Sequence, residues 1–308
     1  MEKFLLSVVI PVFNEEAVLK ETVKRMQSVM RGAGWAYEII FVNDGSKDAS
    51  LDILKEEKKK DGNIRIISLS RNFGHQIAIT AGLDYVAGDA AVIIDADLQD
   101  PPEVIPEMVK KWQEGYDIVH ARRLRRFGES AFKRWTAYLV YRLIRIISNV
   151  DIPVDVGDFR LISRKALDSL KKIREQHRYV RGLVAWLGYK QTFIGYDRDK
   201  RHAGKSKYTL MKMIHFVAEG VTSFSVLPLK LATILGFLSS VFSFLYVLYA
   251  LYAYLVLHVT VPGWATTVIA IFFLGGVQLL CLGIIGEYLG MVNDETKGRP
   301  IYIIDETV

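Results

Sequence analysis

One cysteine, Cys281, stands in the whole 308-residue chain, so no disulfide forms within it and a reducing, cytoplasmic setting is expected. Charge is missing as well: none of the 56 residues between Lys230 and Glu287 is Asp, Glu, Lys or Arg. A buried helix pair in a soluble protein rarely has so long a stretch without charge, which sets an ordinary soluble enzyme aside. No basic segment precedes the strand-like run that begins at Phe4, and a cleaved secretory signal is therefore not expected. No G-x-G-x-x-G follows that run and no G-x-x-x-x-G-K-[ST] occurs anywhere, which argues against a Rossmann dehydrogenase and a P-loop ATPase. Nothing repeats at solenoid spacing. With 24% charged and 51% apolar residues, disordered, collagen-like and disulfide-stapled classes are excluded too.

The charges that are present are unevenly placed. Residues 1–230 carry 38 Lys and Arg against 29 acids, a net +9, while the segment from Glu287 onward carries −3. A basic body beside an apolar stretch predicts an anionic lipid, an anionic ligand, or both, as partners; nucleic acid is not expected. The apolar stretch divides in two. Leu231–Leu257 is long enough to cross a hydrocarbon core of about 30 Å at about 1.5 Å per residue. Pro262 and Gly263 interrupt it, Trp264 suits an interface, and a second run covers Ala265–Gly286. Lys230 precedes the first run, Lys297 and Arg299 follow the second, and the connection has neither Lys nor Arg. Both ends are thus predicted on the cytoplasmic side of the inner (plasma) membrane, making a multi-pass protein. Gly275, Gly276, Gly283 and Gly286 offer small-residue faces, from which a homo-oligomer is expected.

Before residue 230, β-rich runs alternate with helical patterns. Phe4–Val12, Tyr37–Val42, Ile64–Leu69 and Ala91–Ile94 are continuous apolar runs, the pattern of strands buried on both faces. Between them lie helical stretches: Glu15–Met30 with Asn14 as the expected cap, Ala49–Lys60, and Gln76–Val86. This order predicts an α/β fold with a mostly parallel sheet and ligands at the carboxyl ends of its strands. Phe132–Val150 sets Phe132, Trp135, Leu139, Leu143 and Ile146 at helical spacing among Lys133, Arg134, Arg142 and Arg145, predicting an amphipathic interface helix. The expected organisation is a sheet domain over 1–208, with the interface helix at 132–150, and a juxtamembrane helix over 209–228. Two spans within 229–292 (231–257 and 265–286) and a cytoplasmic tail over 293–308 follow.

The strand ending at Ile94 runs into Asp95-Ala96-Asp97-Leu98-Gln99-Asp100. Alternate residues of an extended segment point the same way, so Asp95, Asp97 and Gln99 could offer oxygens on one side. Oxygen-only ligands suit Mg²⁺ or Mn²⁺, and such sites take remaining ligands from substrate phosphates. Acidic and turn residues also follow the first strand (Asn14, Glu15, Glu16) and the second (Asn43, Asp44, Asp48). A nucleotide held through a metal-bridged pyrophosphate is the reading left.

The motifs VVIPVFNEE, VNDGSKD, RNFGHQIAITAGLDYVAGD, DADLQDPP, GDFRLISR and RHAGKSKY, in this order and followed by two apolar spans, resemble the inverting nucleotide-sugar transferases of glycosyltransferase family two. The closest branch is the polyprenyl-phosphate glycosyltransferases, which include bactoprenol glucosyl transferases and dolichol-phosphate mannose synthases. The resemblance implies a GT-A, Rossmann-like fold and transfer of a hexose from a nucleotide sugar to a polyprenyl phosphate lipid. It implies that Pro11, Phe13 and Glu15 line the nucleoside pocket, that Asp44 bonds the base, and that Arg71 lies near it. Asp95, Asp97 and Gln99 would hold the divalent ion, and Arg201, Lys205 and Lys207 would close over the donor phosphates. Asp158 takes the family's catalytic acidic position, with Asp155 near enough to compete, and Arg122 and Arg134 match the acceptor-phosphate positions. Plainer roles stand beside these: Asp44 and Asp48 as helix caps, Arg71 as a surface ion pair, and Arg201–Lys207 as a solvated basic linker.

Glucose from UDP-glucose is the expected sugar, with GDP-mannose second. A processive polysaccharide synthase would need a Q-x-x-R-W motif, and Gln176-His177-Arg178-Tyr179-Val180 does not supply one. A non-catalytic nucleotide-sugar-binding scaffold would leave the acidic residues without a task.

Overall fold

The computed structural model describes residues 4–125, 156–197, 227–257 and 263–308. The chain forms two units, Met1–Val217 with Pro300–Val308, and Ala218–Arg299. In the first, the four apolar runs become β1 (Leu5–Val12), β2 (Ala36–Asn43), β3 (Ile64–Leu69) and β4 (Ala90–Ile93). The helices between them are α1 (Glu16–Ala33), α2 (Ser50–Lys60) and α3 (His75–Asp84). Next come α4 (Ile105–Gln113), β5 (Ile118–Arg125), β6 (Val156–Ser163), α5 (Arg164–Lys171), α6 (Val180–Trp186), β7 (Gln191–Asp197) and β8 (Ile304–Thr307).

The strands form one eight-stranded sheet in the order β7-β5-β6-β4-β1-β2-β3-β8. β1 to β4, β5 and β7 run one way, and only β6 and β8 oppose them. The chain steps outward from β1 to β3 and then returns to the other side of β1 with β4. That reversal opens a crevice at the carboxyl ends of β1 and β4, where α/β sheets bind ligands. Burial on both faces explains the unbroken apolar runs. Leu6, Val8 and Ile10 pack with Leu19, Val23 and Met26 of α1 and Met108 of α4, while Val9 on the opposite face meets α3. There a Cβ on Gly82 would stand 2.3 Å from Val9 Cγ1, so glycine lets α3 lie close on the sheet. The close approach brings His75, the first residue of α3, to the crevice.

β6 is the strand that periodicity does not announce, since VGDFRLIS carries an Asp and an Arg although every residue in it is buried. It lies antiparallel to β4 with Arg160 opposite Ile93. Two residues earlier in β6, Asp158 therefore comes alongside Asp95. β8 extends the sheet from the far end of the chain: Ile66 and Val308 exchange two backbone bonds of 2.9 Å, and Ser70 N donates to Ile303 O at 3.0 Å. Tyr302 Oη donates to Asp84 at 2.8 Å, which also takes two contacts from Arg174, and Lys55 pairs with Glu306 at 2.5 Å. The segment expected as a cytoplasmic tail thus contains one of the two edge strands of the sheet.

The second unit consists of α7 (Leu227–Leu255) and α8 (Trp264–Thr296). Both are long and apolar enough to cross a membrane. They pack on each other through small residues: Ala232 and Ala253 are buried, and Cys281 Sγ lies 3.6 Å from Ala232 O. Large apolar side chains such as Phe242, Phe272 and Leu279 point outward, the reverse of a helix pair in a soluble core. A Cβ on Gly275, Gly276, Gly283 or Gly286 would meet no atom within 4 Å, so these glycines do not serve the α7–α8 contact. The expected helix at 132–150 and most of that at 209–228 lie outside the described residues.

Candidate active site

The loops after β1 and β2 hold each other. Asn14 has a left-handed backbone (φ 53), and its Oδ1 accepts from Lys47 N at 2.8 Å while Ser46 Oγ accepts from Asn14 N at 3.0 Å. Asn14 therefore does not cap α1 as expected; Glu15 stands at the cap position, and its side chain makes no capping bond. The caps come from across the gap: Asp48 accepts from Glu16 N at 3.2 Å, Glu16 accepts from Ala49 N at 2.9 Å, and Ser50 Oγ accepts from Glu15 N at 2.9 Å. Asp48 also accepts from Ser50 N at 3.0 Å, so the plain capping role fits it.

Asp44 does something else. It is buried, and its two oxygens accept from Phe73 N at 2.7 Å and Gly74 N at 3.0 Å. Burial raises its pKa, against the pull of those two bonds. Gly45 beside it has φ +65, and a Cβ there would lie 2.5 Å from the backbone carbon of Arg71, so only glycine lets the two loops meet. The Arg71 guanidinium stacks 4.0 Å over the Phe73 ring and donates to Asn72 O, which is a local contact and not an ion pair. Pro11 is buried in register with Val42, and Phe13 and Glu15 are half-buried just beyond it.

After β4 the chain turns where an extended segment was expected. Leu98 has φ 57, and Asp97 Oδ1 accepts from Gln99 N at 3.1 Å, closing the turn. Even so, Asp95, Asp97 and Gln99 are half-buried while the alternating Ala96, Leu98 and Asp100 are buried. Asp100 anchors the turn from behind: Tyr196 Oη donates to it, and Arg123 Nη2 lies 3.6 Å away.

The centre of the crevice is Asp158. It accepts from Arg181 Nε and Nη2 at 2.9 Å each, from Gln76 Nε2 at 3.3 Å and from Arg160 Nη2 at 3.4 Å, with His75 Nε2 at 3.2 Å. Burial works against its charge, but Arg181 and His75 hold the carboxyl well below the usual range. His75 is also 3.5 Å from Asp95 Oδ1. Burial disfavours the imidazolium, yet Asp95 and Asp158 outweigh it and lift His75 to about 9. Asp95 is lifted to about 6 by burial, with His75 opposing and Asp100, Asp158 and Asp97 adding to the rise.

Among the described residues no three His, Cys, Asp or Glu side chains converge into a protein-only metal cage. The donor set still suits a hard cation that completes its shell from a ligand. Asp95 Oδ1 is buried without a hydrogen-bond partner, and His75 Nε2 lies 3.5 Å from it.

Of the residues singled out in the sequence, the structure brings Asp95, Asp97, Gln99 and Asp158 to one edge. It joins them to Asp44 and Arg71 through the stretch 72–75. Arg122 is exposed on β5, 6.0 Å over the Phe193 ring, while its neighbour Arg123 turns inward to Asp100. Arg134, Arg201, Lys205, Lys207 and Asp155 lie outside the described residues. His75, Gln76 and Arg181 were passed over as functional residues. The first two sit inside RNFGHQ, and Arg181 directly follows Gln176-His177-Arg178-Tyr179-Val180.

Residues 7–171, from β1 through α5, match the family described as Glycosyl transferase family 2. The chain belongs to that family. Full-length relatives agree. A protein named uncharacterized glycosyltransferase YkcC of Bacillus subtilis (strain 168) is 50% identical over 301 residues, covering 98% of this chain and 93% of its own. The SfII prophage-derived bactoprenol glucosyl transferase of Shigella flexneri is 40% identical over 302 residues, 98% of each chain. Among solved structures, the glucosyl-3-phosphoglycerate synthase of Mycobacterium tuberculosis in complex with Mn²⁺, UDP-glucose and phosphoglyceric acid is 20% identical with a TM-score of 0.48. That likeness covers 71% of this chain and 78% of that one. The family-two sheet here is the mostly parallel α/β GT-A architecture, and the protein is a glycosyltransferase.

Proposed function

We propose that this glycosyltransferase moves glucose from UDP-glucose to undecaprenyl phosphate with inversion, at the cytoplasmic face of the inner membrane. The observation that carries the reading is the pairing of Asp95 and Asp158 at the sheet's carboxyl edge. One has a buried oxygen without a hydrogen bond, and the other is saturated by protein donors. The 40% identity to bactoprenol glucosyl transferase along the whole chain supports the choice of acceptor and sugar.

In this reading Pro11, Phe13, Glu15, Asp44 and Arg71 form the nucleoside end. Asp95, Asp97 and Gln99 are the ligands of Mg²⁺ or Mn²⁺, which when bound supplies positive charge to the leaving diphosphate. The acceptor phosphate oxygen attacks the anomeric carbon opposite the nucleoside diphosphate, forming the new C–O bond as the old one breaks. A phosphate is already ionised near neutral pH, so no side chain must take a proton from it. Asp158, held as an anion by its donors, fits an orienting role at the sugar and not proton removal. Arg122 and Arg134 are assigned to the acceptor phosphate, and Arg201 and Lys205 to the donor phosphates, as charge-assisted contacts.

A two-span topology is part of the same reading. Because β8 belongs to the same sheet as β1, this reading puts the residues after α8 on the side of the bilayer that holds the sheet. An even number of crossings by α7 and α8 satisfies that, which supports a two-span hairpin; its outward glycines are read as the place of self-association.

The test is transfer from a panel of radiolabelled nucleotide sugars to undecaprenyl phosphate, followed by organic extraction. Label is expected in the organic phase from UDP-glucose, dependent on lipid and divalent metal. Transfer from GDP-mannose alone would replace the sugar assignment. Metal-dependent donor hydrolysis with no lipid product would overturn the acceptor, and binding without turnover would leave only a scaffold.

A further inference from the structure

Arg181 has no part in the reaction drawn above, yet it makes the shortest contacts to Asp158. Its Nε and Nη2 each sit 2.9 Å from Asp158, one nitrogen to each oxygen, in the planar fork that only arginine presents. It is not the only cation at that carboxylate. Arg160, itself buried, already lies 3.4 Å from the same carboxylate and is further satisfied by Gly157 O at 2.8 Å. An ion pair at a buried carboxylate is weak evidence of a gain in stability, so a second arginine in a two-nitrogen fork points to geometry as its purpose. The surrounding bonds specify which geometry. Gln76 accepts from Val180 N at 3.0 Å, tying the start of α6 to α3, and donates to Asp158. His75, next to it, spans Asp158 and Asp95 at 3.2 and 3.5 Å.

We propose that Arg181 is a positioning residue for the glycosyl transfer inferred above: acting through Asp158, it locks α6, α3 and β6 together and so fixes His75 and Asp95 at the donor-phosphate end. The inference rests on that reaction, and the wild-type assay tests the reaction separately.

The experiment compares Arg181→Ala, Arg181→Lys, Asp158→Asn and the double Arg181→Ala/Asp158→Asn variant in the full-length protein. Thermal unfolding and steady-state transfer from UDP-glucose are read for each. Arg181→Ala should lower kcat about tenfold or more, since small displacements of reacting groups carry penalties of that order, with KM for UDP-glucose within about threefold. Arg181→Lys keeps the charge but not the fork, so its Tm should return to the wild-type value while kcat stays low. The double variant should have the kcat of Asp158→Asn alone, because Arg181 acts through that carboxylate. Recovery of kcat together with Tm in Arg181→Lys would show that charge suffices and overturn the positioning role. So would a double variant slower than Asp158→Asn by the full Arg181→Ala factor, or a raised KM at unchanged kcat, either of which means that Arg181 meets substrate directly. A wild-type protein that transfers no sugar refutes the reaction, and the positioning role with it.

Discussion

Asp44→Asn tests how the nucleoside end is tied to the acid cluster. The Asp44 oxygens accept from two consecutive backbone N–H groups, Phe73 at 2.7 Å and Gly74 at 3.0 Å, and the next residue is His75. An asparagine has one acceptor oxygen, so whichever way it turns, one of those N–H groups faces an NH₂ donor. The loss is one charge-assisted bond, about 1.5–3 kcal/mol, plus about 1–3 kcal/mol for a buried N–H without an acceptor. Relief is partial: burial raises the pKa of Asp44, so its charge costs something that the neutral amide does not. A net loss of about 2–3 kcal/mol predicts a fall in Tm of about 4–12 °C for a domain of this size. Because the stretch 72–75 leads into His75, UDP affinity and turnover should both fall about tenfold or more. Calorimetric unfolding in mild detergent and titration with UDP measure the two sides. A variant that unfolds within about 1 °C of wild type and binds UDP equally would refute the claim that this carboxylate holds the loop.

Other consequences follow from the same geometry. Burial lifts Asp95 to about 6, so protons compete with Mn²⁺ below that pH, and Mn²⁺ affinity should drop about tenfold per pH unit there; titrations with equal affinity at pH 7 and pH 5 would remove Asp95 from the ligand set. His75 is raised from 6.5 to about 9 by Asp95 and Asp158 in spite of its burial. The folded state thus holds its proton more tightly than the unfolded state, and metal-free stability is fully present below pH 6.5 and lost as pH rises through 9. His75→Ala should flatten Tm over that window, and an unchanged slope would count against the pairing. Tyr302→Phe removes the bond to Asp84, which keeps both contacts to Arg174, so the loss should sit near about 1.5 kcal/mol. Faster amide exchange at Ile66 and Val308 is expected, and unaltered protection there would mean that Tyr302 does not secure β8.

What the amino-acid order determined by itself is local. Continuous apolar runs at 4–12, 37–42, 64–69 and 91–94 could be satisfied only by strands covered on both faces, and they became β1 to β4 within a residue or so. The charge-free stretch after Lys230 produced two helices with apolar sides outward, because no soluble packing hides so much surface. Acidic residues at strand ends were legible for a similar reason: chemistry placed just past a buried parallel strand has only the crevice to face.

Tertiary structure decided whatever depends on distant partners. VGDFRLIS becomes a wholly buried strand although it carries Asp158 and Arg160, since each charge finds its counterion there and Arg181 and His75 arrive from α6 and α3. No periodicity foretells that pairing. β8 is four residues long with alternate exposure, and it forms because β3 offers an unpaired edge more than two hundred residues earlier in the chain. Arg123 turns inward while Arg122 stays exposed, and irregularities in β5 register after His120 and after Arg123 make that choice unreadable from alternation alone. Asn14 and Leu98 adopt left-handed backbones for contacts with the neighbouring loop and turn, where local preference suggested a cap and an extended run. Residue type and order were enough to say which chemistry gathers at the sheet edge. Which donor meets which carboxylate was settled by the packing of α3, α6 and β6, because hydrogen bonds of about 3 Å are set by three-dimensional register and not by spacing along the chain.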